Sequence, residues 1–262
     1  MKNSSNRQSK KILSGAPGTP CTPADESTIE KRSRFISKNI KLCQGSMLLD
    51  VGCGLGIYRP EPEKYNRVGI DIIRRNLEKA KLLDEDLEAI VMDAEIMGLK
   101  ENVFDVVLCI EVIEHLQDDQ AVLKEIRRVL KPEGKLIITA PNRKFPFETH
   151  GIHVLNRQIG SYGLGFPLLS YMPRSIREHF ATVQNYTTPE ITTLLERSGF
   201  RILELTYLWP NLDIAKRNFP YLKFFFDEIG YVFNYLESGE IFLSRMGMTI
   251  IICGEICNYE VR

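Results

Sequence analysis

The chain has 262 residues, enough for two small domains and more naturally for one elaborated α/β domain. Hydrophobic residues at 44% and charged residues at 26% are ordinary for a globular chain, which excludes wholesale disorder and a fibrous repeat. Lys plus Arg and Asp plus Glu each number 34, so the formal charge is zero and a chain-wide electrostatic grip on nucleic acid or an anionic membrane is not expected.

The charge is uneven along the chain. Residues 1–43 carry nine basic side chains against three acidic ones, a net +6 offset by −6 in the remainder. Rich in Ser, Lys, Gly, Pro and Thr, residues 1–26 read as a solvated, disordered basic tail ahead of a single domain over 27–262. The tail has no apolar core of a secretory signal. Nor does any stretch approach the roughly 18–20 apolar residues of a spanning helix, so the expected location is the cytoplasm, with peripheral membrane contact left open. Six cysteines show neither a CxxC pair nor a Cys/His cluster, and buried thiols are the expectation.

Helical spacing begins near Ser27, with Ile29, Phe35, Ile36, Ile40 and Leu42 on one stripe. Met47–Val51 then reads as a buried strand broken by Gly52, Gly54 and Gly56. Arg67–Asp71 is a second strand, Ile73–Leu83 a helix, Ala89–Met92 a third strand and Phe104–Ile110 a fourth. Asp118–Leu130 is helical, and Lys135–Ala140 forms a fifth strand after a turn at Lys131–Gly134. Past an irregular insert over 141–186 come a helix at Thr188–Ser198 and a strand at Arg201–Leu208. A second insert over 209–246 precedes a last strand at Met248–Ile256, hairpinned against its predecessor. Strands alternating with helices at this pitch call for a Rossmann-like α/β fold, whose ligands bind beyond the carboxyl ends of the strands.

The sharpest motif is Asp50-Val51-Gly52-Cys53-Gly54-Leu55-Gly56, at the end of a buried strand. Glycine there lets the backbone turn tightly and approach a ligand closely. A nicotinamide fingerprint would ask for a third glycine where Ile57 stands. Asp71 ends the second strand, where a carboxylate can accept from ribose hydroxyls, and Asp93-Ala94 ends the third, where an adenine amino group would lie. Each aspartate alone would read as a turn or helix cap. Three at successive strand ends, with the glycines, point to an adenosine ligand.

This constellation resembles the class I S-adenosylmethionine-dependent methyltransferases. Leu48–Gly56 is similar to their glycine-rich motif, Val68–Ile72 to their ribose motif and Met92–Ala94 to their adenine motif, while Cys109–Leu116 resembles the segment after strand four of the ubiquinone-biosynthesis O-methyltransferases, a methyltransferase type 11 group. The resemblance implies S-adenosylmethionine as cofactor and a seven-stranded sheet in the order 3-2-1-4-5-7-6 with the last strand antiparallel. It implies that Asp50, Gly52, Cys53, Gly54, Gly56, Asp71, Ile72, Asp93, Ala94, Ile110 and Glu111 surround the cofactor, with Gly52 and Ile110 at its methionine end. Where methyltransferases of exocyclic base nitrogens carry Asn/Asp-Pro-Pro-Tyr/Phe, this chain reads Ile110-Glu111-Val112-Ile113, which favours an oxygen or carbon acceptor.

A hydroxyl acceptor benefits from a base near neutral pH, and histidine is the first side chain to seek. His150 and His153 follow strand five at the expected mouth, and His115 follows strand four; self-bonding within their loops is the plain alternative. His179 lies in a polar segment and reads as a surface residue. Glu111, Glu114 and His115 also resemble the metal-binding Glu-x-x-Glu-His of small-RNA ribose 2′-O-methyltransferases, but the further histidine of that group has no counterpart in Ala181–Asn185 and only His150 or His153 could replace it, so no metal is expected and a metal-assisted RNA ribose methyltransferase is the alternative within enzymes. Both inserts leave from the carboxyl edge of the sheet and are expected to cap the acceptor site. Residues 209–242 hold ten of the 24 aromatic residues. Either the added layer needs its own core, or the acceptor is apolar or lipid-linked and met at a membrane surface. An adenosylmethionine-binding protein without catalysis is the alternative from another class.

Overall fold

The computed structural model describes residues 26–60, 65–148, 152–154, 157–159, 166–167, 171–172, 183–210, 212, 216, 219–238 and 242–257. The basic tail short of Glu26, His150 and His179 lie outside the described residues, and of His153 only the backbone is described.

Helix α1 (Glu26–Asn39) leads into strands β1 (Ser46–Val51) and β2 (Tyr65–Asp71), helix α2 (Arg74–Leu83), and strands β3 (Glu88–Val91) and β4 (Phe104–Cys109). A 3-10 turn at Ile113–His115 precedes helix α3 (Asp119–Val129) and strand β5 (Leu130–Pro141). The first insert contributes two short pairs, β6 (Phe147–Glu148) with β9 (Phe166–Pro167) and β7 (Ile152–Val154) with β8 (Arg157–Ile159). Helix α4 (Thr188–Arg197), strand β10 (Phe200–Leu208), helix α5 (Lys223–Ser238) and strand β11 (Thr249–Ile256) complete the chain, with 3-10 turns at Pro220–Leu222 and Phe242–Met246.

The main sheet runs β10-β11-β5-β4-β1-β2-β3, which is the expected order 3-2-1-4-5-7-6. Strands β1 to β5 pair in parallel, and β11 is antiparallel to both neighbours. Successive side chains of each central strand enter opposite layers, as strand geometry dictates. Leu49, Val51, Val107 and Cys109 join Leu123 and Ile126 of α3 and Ile191 and Leu195 of α4 in one core. Leu48, Val106, Leu108, Ile137 and Ile251 meet Phe35 and Ile36 of α1, and Ile40 just past its end, in the other.

One boundary differs from the sequence pattern. The stretch expected as a helix end and turn over Leu130–Gly134 already belongs to β5, because Phe104 pairs with Leu130 and Val106 with Lys135. The intervening residues bulge out of the ladder, with Glu133 at φ 67°. Neither a helix signal nor a turn signal distinguishes a bulge of this kind from a loop.

The second insert has a small core of its own. Trp209 and Leu236 bury against Phe145, with Phe233, Met246 and Met248 packed around them. No helix among the described residues is long and apolar enough to cross a membrane.

Candidate active site

The site forms where β1, β2 and β4 end side by side. Val51 pairs with Ile70 and with Cys109, so the segments leaving all three strands emerge at one edge. The chain leaving β1 turns through Gly52, Gly54 and Gly56, all at left-handed φ (62°, 52° and 65°). A side chain at Gly52 would place its Cβ 2.5 Å from Val112 Cγ2, so the turn touches the loop after β4. A Cβ at Gly54, by contrast, would meet nothing nearer than 4.0 Å. The glycines thus form a cradle with bare backbone on its open side, the shape a close-lying ligand requires.

Two aspartates hold this turn. Asp50 is buried, and its carboxylate accepts from Arg67 Nη2 at 2.6 Å. Arg67 Nη1 donates onward to the Gly56 carbonyl at 3.2 Å and to Asp84. Burial pushes the Asp50 carboxyl up while Arg67 pulls it back down. Asp50 therefore braces the loop from behind through Arg67. Asp71 lies on the ligand side: its Oδ1 accepts from Ile73 N at 2.7 Å, and its Oδ2 from Gly54 N at 2.9 Å and Asn76 Nδ2 at 3.4 Å. A carboxylate has about four acceptor positions, so a fourth is left for a sugar hydroxyl, and the long Asn76 bond is the one most easily displaced. Asp93 is exposed, with Oδ1 accepting from Glu95 N at 2.9 Å. Exposed Ile72 and half-buried Ala94 follow these two strand ends.

Cys53 and Cys109 are buried, and burial drives both thiols well above their ordinary range, which removes them as thiolate nucleophiles at neutral pH. Cys53 instead fills space against β2, where a Cβ on Gly69 would lie 2.8 Å from its sulfur.

After β4, Ile110 is buried and Glu111 adopts φ 58°. That left-handed backbone is fixed on both sides: Glu111 N donates to Thr139 Oγ1 at 2.8 Å, and its carboxylate accepts from Arg32 Nη2 at 2.8 Å. Arg32 is a site residue that the sequence motifs do not include. It is 2% exposed, reaches up from α1, and also donates to Tyr58 Oη at 2.8 Å, joining α1, the glycine turn and the loop after β4. Burial works against its charge, but Glu111, Tyr58 and Glu114 outweigh that and hold the guanidinium above its ordinary value. Among the described residues its buried Nε has no hydrogen-bond partner.

The three side chains of the Glu-x-x-Glu-His pattern diverge. Glu111 is tied to Arg32, Glu114 is buried, and His115 is exposed. Among the described residues, no three His, Cys, Asp or Glu side chains gather as metal ligands.

The neighbour of Arg32 reaches the other way. Lys31 Nζ pairs with Glu237 of α5 at 2.5 Å and donates to the Trp209 carbonyl at 3.3 Å. Consecutive residues of α1 thus hold the cofactor loops and the second insert.

Residues 49–138, which contain every loop of this cradle, match the family model described as a methyltransferase domain. The chain thus carries a methyltransferase domain, similar to those of the class I S-adenosylmethionine-dependent methyltransferases. Among its relatives, an uncharacterized protein of Methanocaldococcus jannaschii is 36% identical over 120 residues, 46% of this chain and about half (51%) of the archaeal one. A ubiquinone biosynthesis O-methyltransferase of Coxiella burnetii is 27% identical over 181 residues, covering 67% of this chain and 71% of the relative. An S-adenosylmethionine-dependent methyltransferase of Mesorhizobium loti shares the fold at a TM-score of 0.56 and 15% identity, covering 87% of this chain and 99% of that one. So does phosphoethanolamine N-methyltransferase 2 of Haemonchus contortus in complex with S-adenosylmethionine, at a TM-score of 0.58, 18% identity, and 87% and 53% coverage. S-adenosylmethionine is the cofactor of this methyltransferase, and the bare glycine cradle and the Asp71 carboxylate fit its backbone approach and ribose.

Proposed function

We propose that this methyltransferase acts on an oxygen, or a carbon, of a small apolar or lipid-linked acceptor. The carrying observation is the loop after β4. Its backbone is locked by Thr139 and Arg32 and its sequence, Ile110-Glu111-Val112-Ile113, offers no proline carbonyl pair to an amino acceptor. The likeness to ubiquinone biosynthesis O-methyltransferases supports the oxygen reading.

Bound in the cradle, the cofactor supplies an electrophilic methyl on a sulfonium that departs as a neutral thioether. The chain's own part is alignment, exclusion of water and reception of the acceptor proton. Gly52, Gly54 and Gly56 admit the ligand against the backbone, and Asp71 takes a ribose hydroxyl. Ile72, Asp93 and Ala94 border the purine, with Asp93 positioned for its amino group. His150, by its sequence position after β5, is the candidate base, with His153 and His115 as the other candidates. The proton released from the acceptor hydroxyl passes to the imidazole and then to water.

Transfer of label from methyl-labelled cofactor into fractionated cell extract tests the reading: label in a lipid-extractable product is expected, and label confined to protein or RNA would overturn it. Calorimetry tests the site separately. Asp71→Ala weakens adenosylhomocysteine binding by about 1–3 kcal/mol. His150→Ala lowers kcat about 10²-fold or more without changing that affinity, and removes the acid limb of the pH–rate profile. If turnover survives in His150→Ala, the base is assigned to another group.

A further inference from the structure

Helix α5 carries apolar side chains on two opposite faces. Phe226, Phe233 and Leu236 turn inward onto the cores around Leu212 and Trp209. Phe224, Tyr231 and Tyr235, spaced i, i+7 and i+11, form an outer row with Phe225 and Val232 beside it. All five are exposed, Phe224 by 79% and Tyr231 by 75%. The preceding 3-10 turn adds exposed Tyr221 and Leu222. A helix apolar around most of its circumference is one covered on both sides, and an exposed apolar face of this size marks a contact surface.

The chemistry of the row and its surroundings select the occupant. Three tyrosines with two phenylalanines suit the headgroup layer of a bilayer, where the rings are buried and the hydroxyls stay wet. Cationic residues join the chain beside this face. Residues 1–25 carry Lys2, Arg7, Lys10 and Lys11 against Asp25 and enter α1 at Glu26. Ser27 and Lys31, in the first turns of α1, line a cavity of about 280 Å³ together with Gly230, Tyr231 and Asn234 of α5. The basic segment is therefore attached at the rim of the aromatic row. Of the three acidic residues of α5, Asp227 is neutralised by Lys216 at 2.7 Å and Glu237 by Lys31, which leaves exposed Glu228, one turn from Phe224 and Tyr231, as the carboxylate the N-terminal cations have to offset.

We propose that this face docks on an anionic lipid bilayer, with the α5 aromatics in the headgroup layer and the N-terminal cations against the phosphates. The proposal goes beyond the acceptor chemistry, because bilayer binding can be measured with no methyl transfer at all.

Flotation of the full chain with vesicles of phosphatidylcholine, alone and mixed about 3:1 with phosphatidylglycerol, is the test. The full chain is expected to float with the mixed vesicles at low salt. The F224S/Y231S/Y235S variant is expected to lower the partition coefficient at least about tenfold, and K2Q/R7Q/K10Q/K11Q to lower it and flatten its salt dependence. Calorimetry with adenosylhomocysteine on the same variants reports the cofactor site independently and is expected not to change. Absence of flotation with both vesicles, or undiminished flotation of the aromatic variant, would overturn the proposal. So would a change in that variant's sedimentation mass with unchanged flotation, since the row would then join copies of this chain.

Discussion

Arg32 shows how a single side chain can carry more of the site than the motif that announces it. It falls on the apolar stripe of α1, three residues after Ile29 and three before Phe35, which is the place in an amphipathic helix where a cation has to be explained by a partner. That spacing is the signal the sequence offers. Its partners, Tyr58 and Glu111, are 26 and 79 residues away, and nothing local announces either. The Asp50–Arg67 pair is similar: the acid at the end of β1 is legible as part of a cofactor motif, but its role as a brace depends on the register that sets Arg67 beside Leu48. The pair makes a pH-dependent prediction. Arg67→Met leaves Asp50 buried without its cation, which costs about 3–5 kcal/mol near neutral pH. Burial already raises the Asp50 carboxyl, and removing Arg67 raises it further, so the folded state resists ionisation. The deficit relative to the parent is therefore smallest well below about pH 4, where Asp50 is protonated folded or unfolded, and grows as pH rises. Urea midpoints at pH 5 and pH 8 should diverge for Arg67→Met, and the divergence should shrink in the double variant D50N/R67M.

Among the elements, the alternation of strands and helices is readable because the five parallel strands are short apolar runs punctuated by glycine and aspartate, and the sheet order follows from the family those strand ends resemble. The bulge inside β5 is not readable, since Lys131–Gly134 has the composition of a turn in either setting. Helix α5 is hidden differently: with apolar residues inside and out, it has no single stripe to count. The glycine turn is coupled to the loop after β4 through Val112, and the coupling can be divided into its two causes. Gly52→Ala meets both a left-handed backbone, costing roughly 1–2 kcal/mol, and a Cβ 2.5 Å from Val112 Cγ2. Adenosylhomocysteine affinity should fall at least about tenfold, the equivalent of 1.4 kcal/mol. Adding Val112→Ala removes the steric part alone, so the double variant should recover part of the affinity and none of the backbone cost. Full recovery would mean that the φ of Gly52 does not matter to the cradle.

At the scale of the molecule, the parallel sheet and the second insert have separate cores among the described residues. The sheet buries its strands in two large layers, whereas the insert rests on Phe145, Trp209 and Leu236 and on the Lys31 link from α1. Trp209 is the hub: its ring lies tilted against Phe233 with centroids 4.8 Å apart and edge-to-face with Phe145 at 6.2 Å, its Nε1 donates to the Ser244 carbonyl, and its backbone N–H donates to the Glu237 carboxylate. Truncating a buried tryptophan to alanine costs about 3–5 kcal/mol. Because the indole packs within the insert, that cost should fall on the insert's opening equilibrium rather than on the sheet. In Trp209→Ala, amide exchange should accelerate over 219–246 and stay unchanged over β1 and β4. Adenosylhomocysteine affinity should be kept, since Asp71 and the glycine turn lie on the sheet side of the junction, while acceptor turnover falls if the insert covers the acceptor. Acceleration spreading into β4, or loss of cofactor binding, would show instead that α1 transmits the insert's stability through Lys31 and Arg32 into the cradle, and that the two cores fold as one.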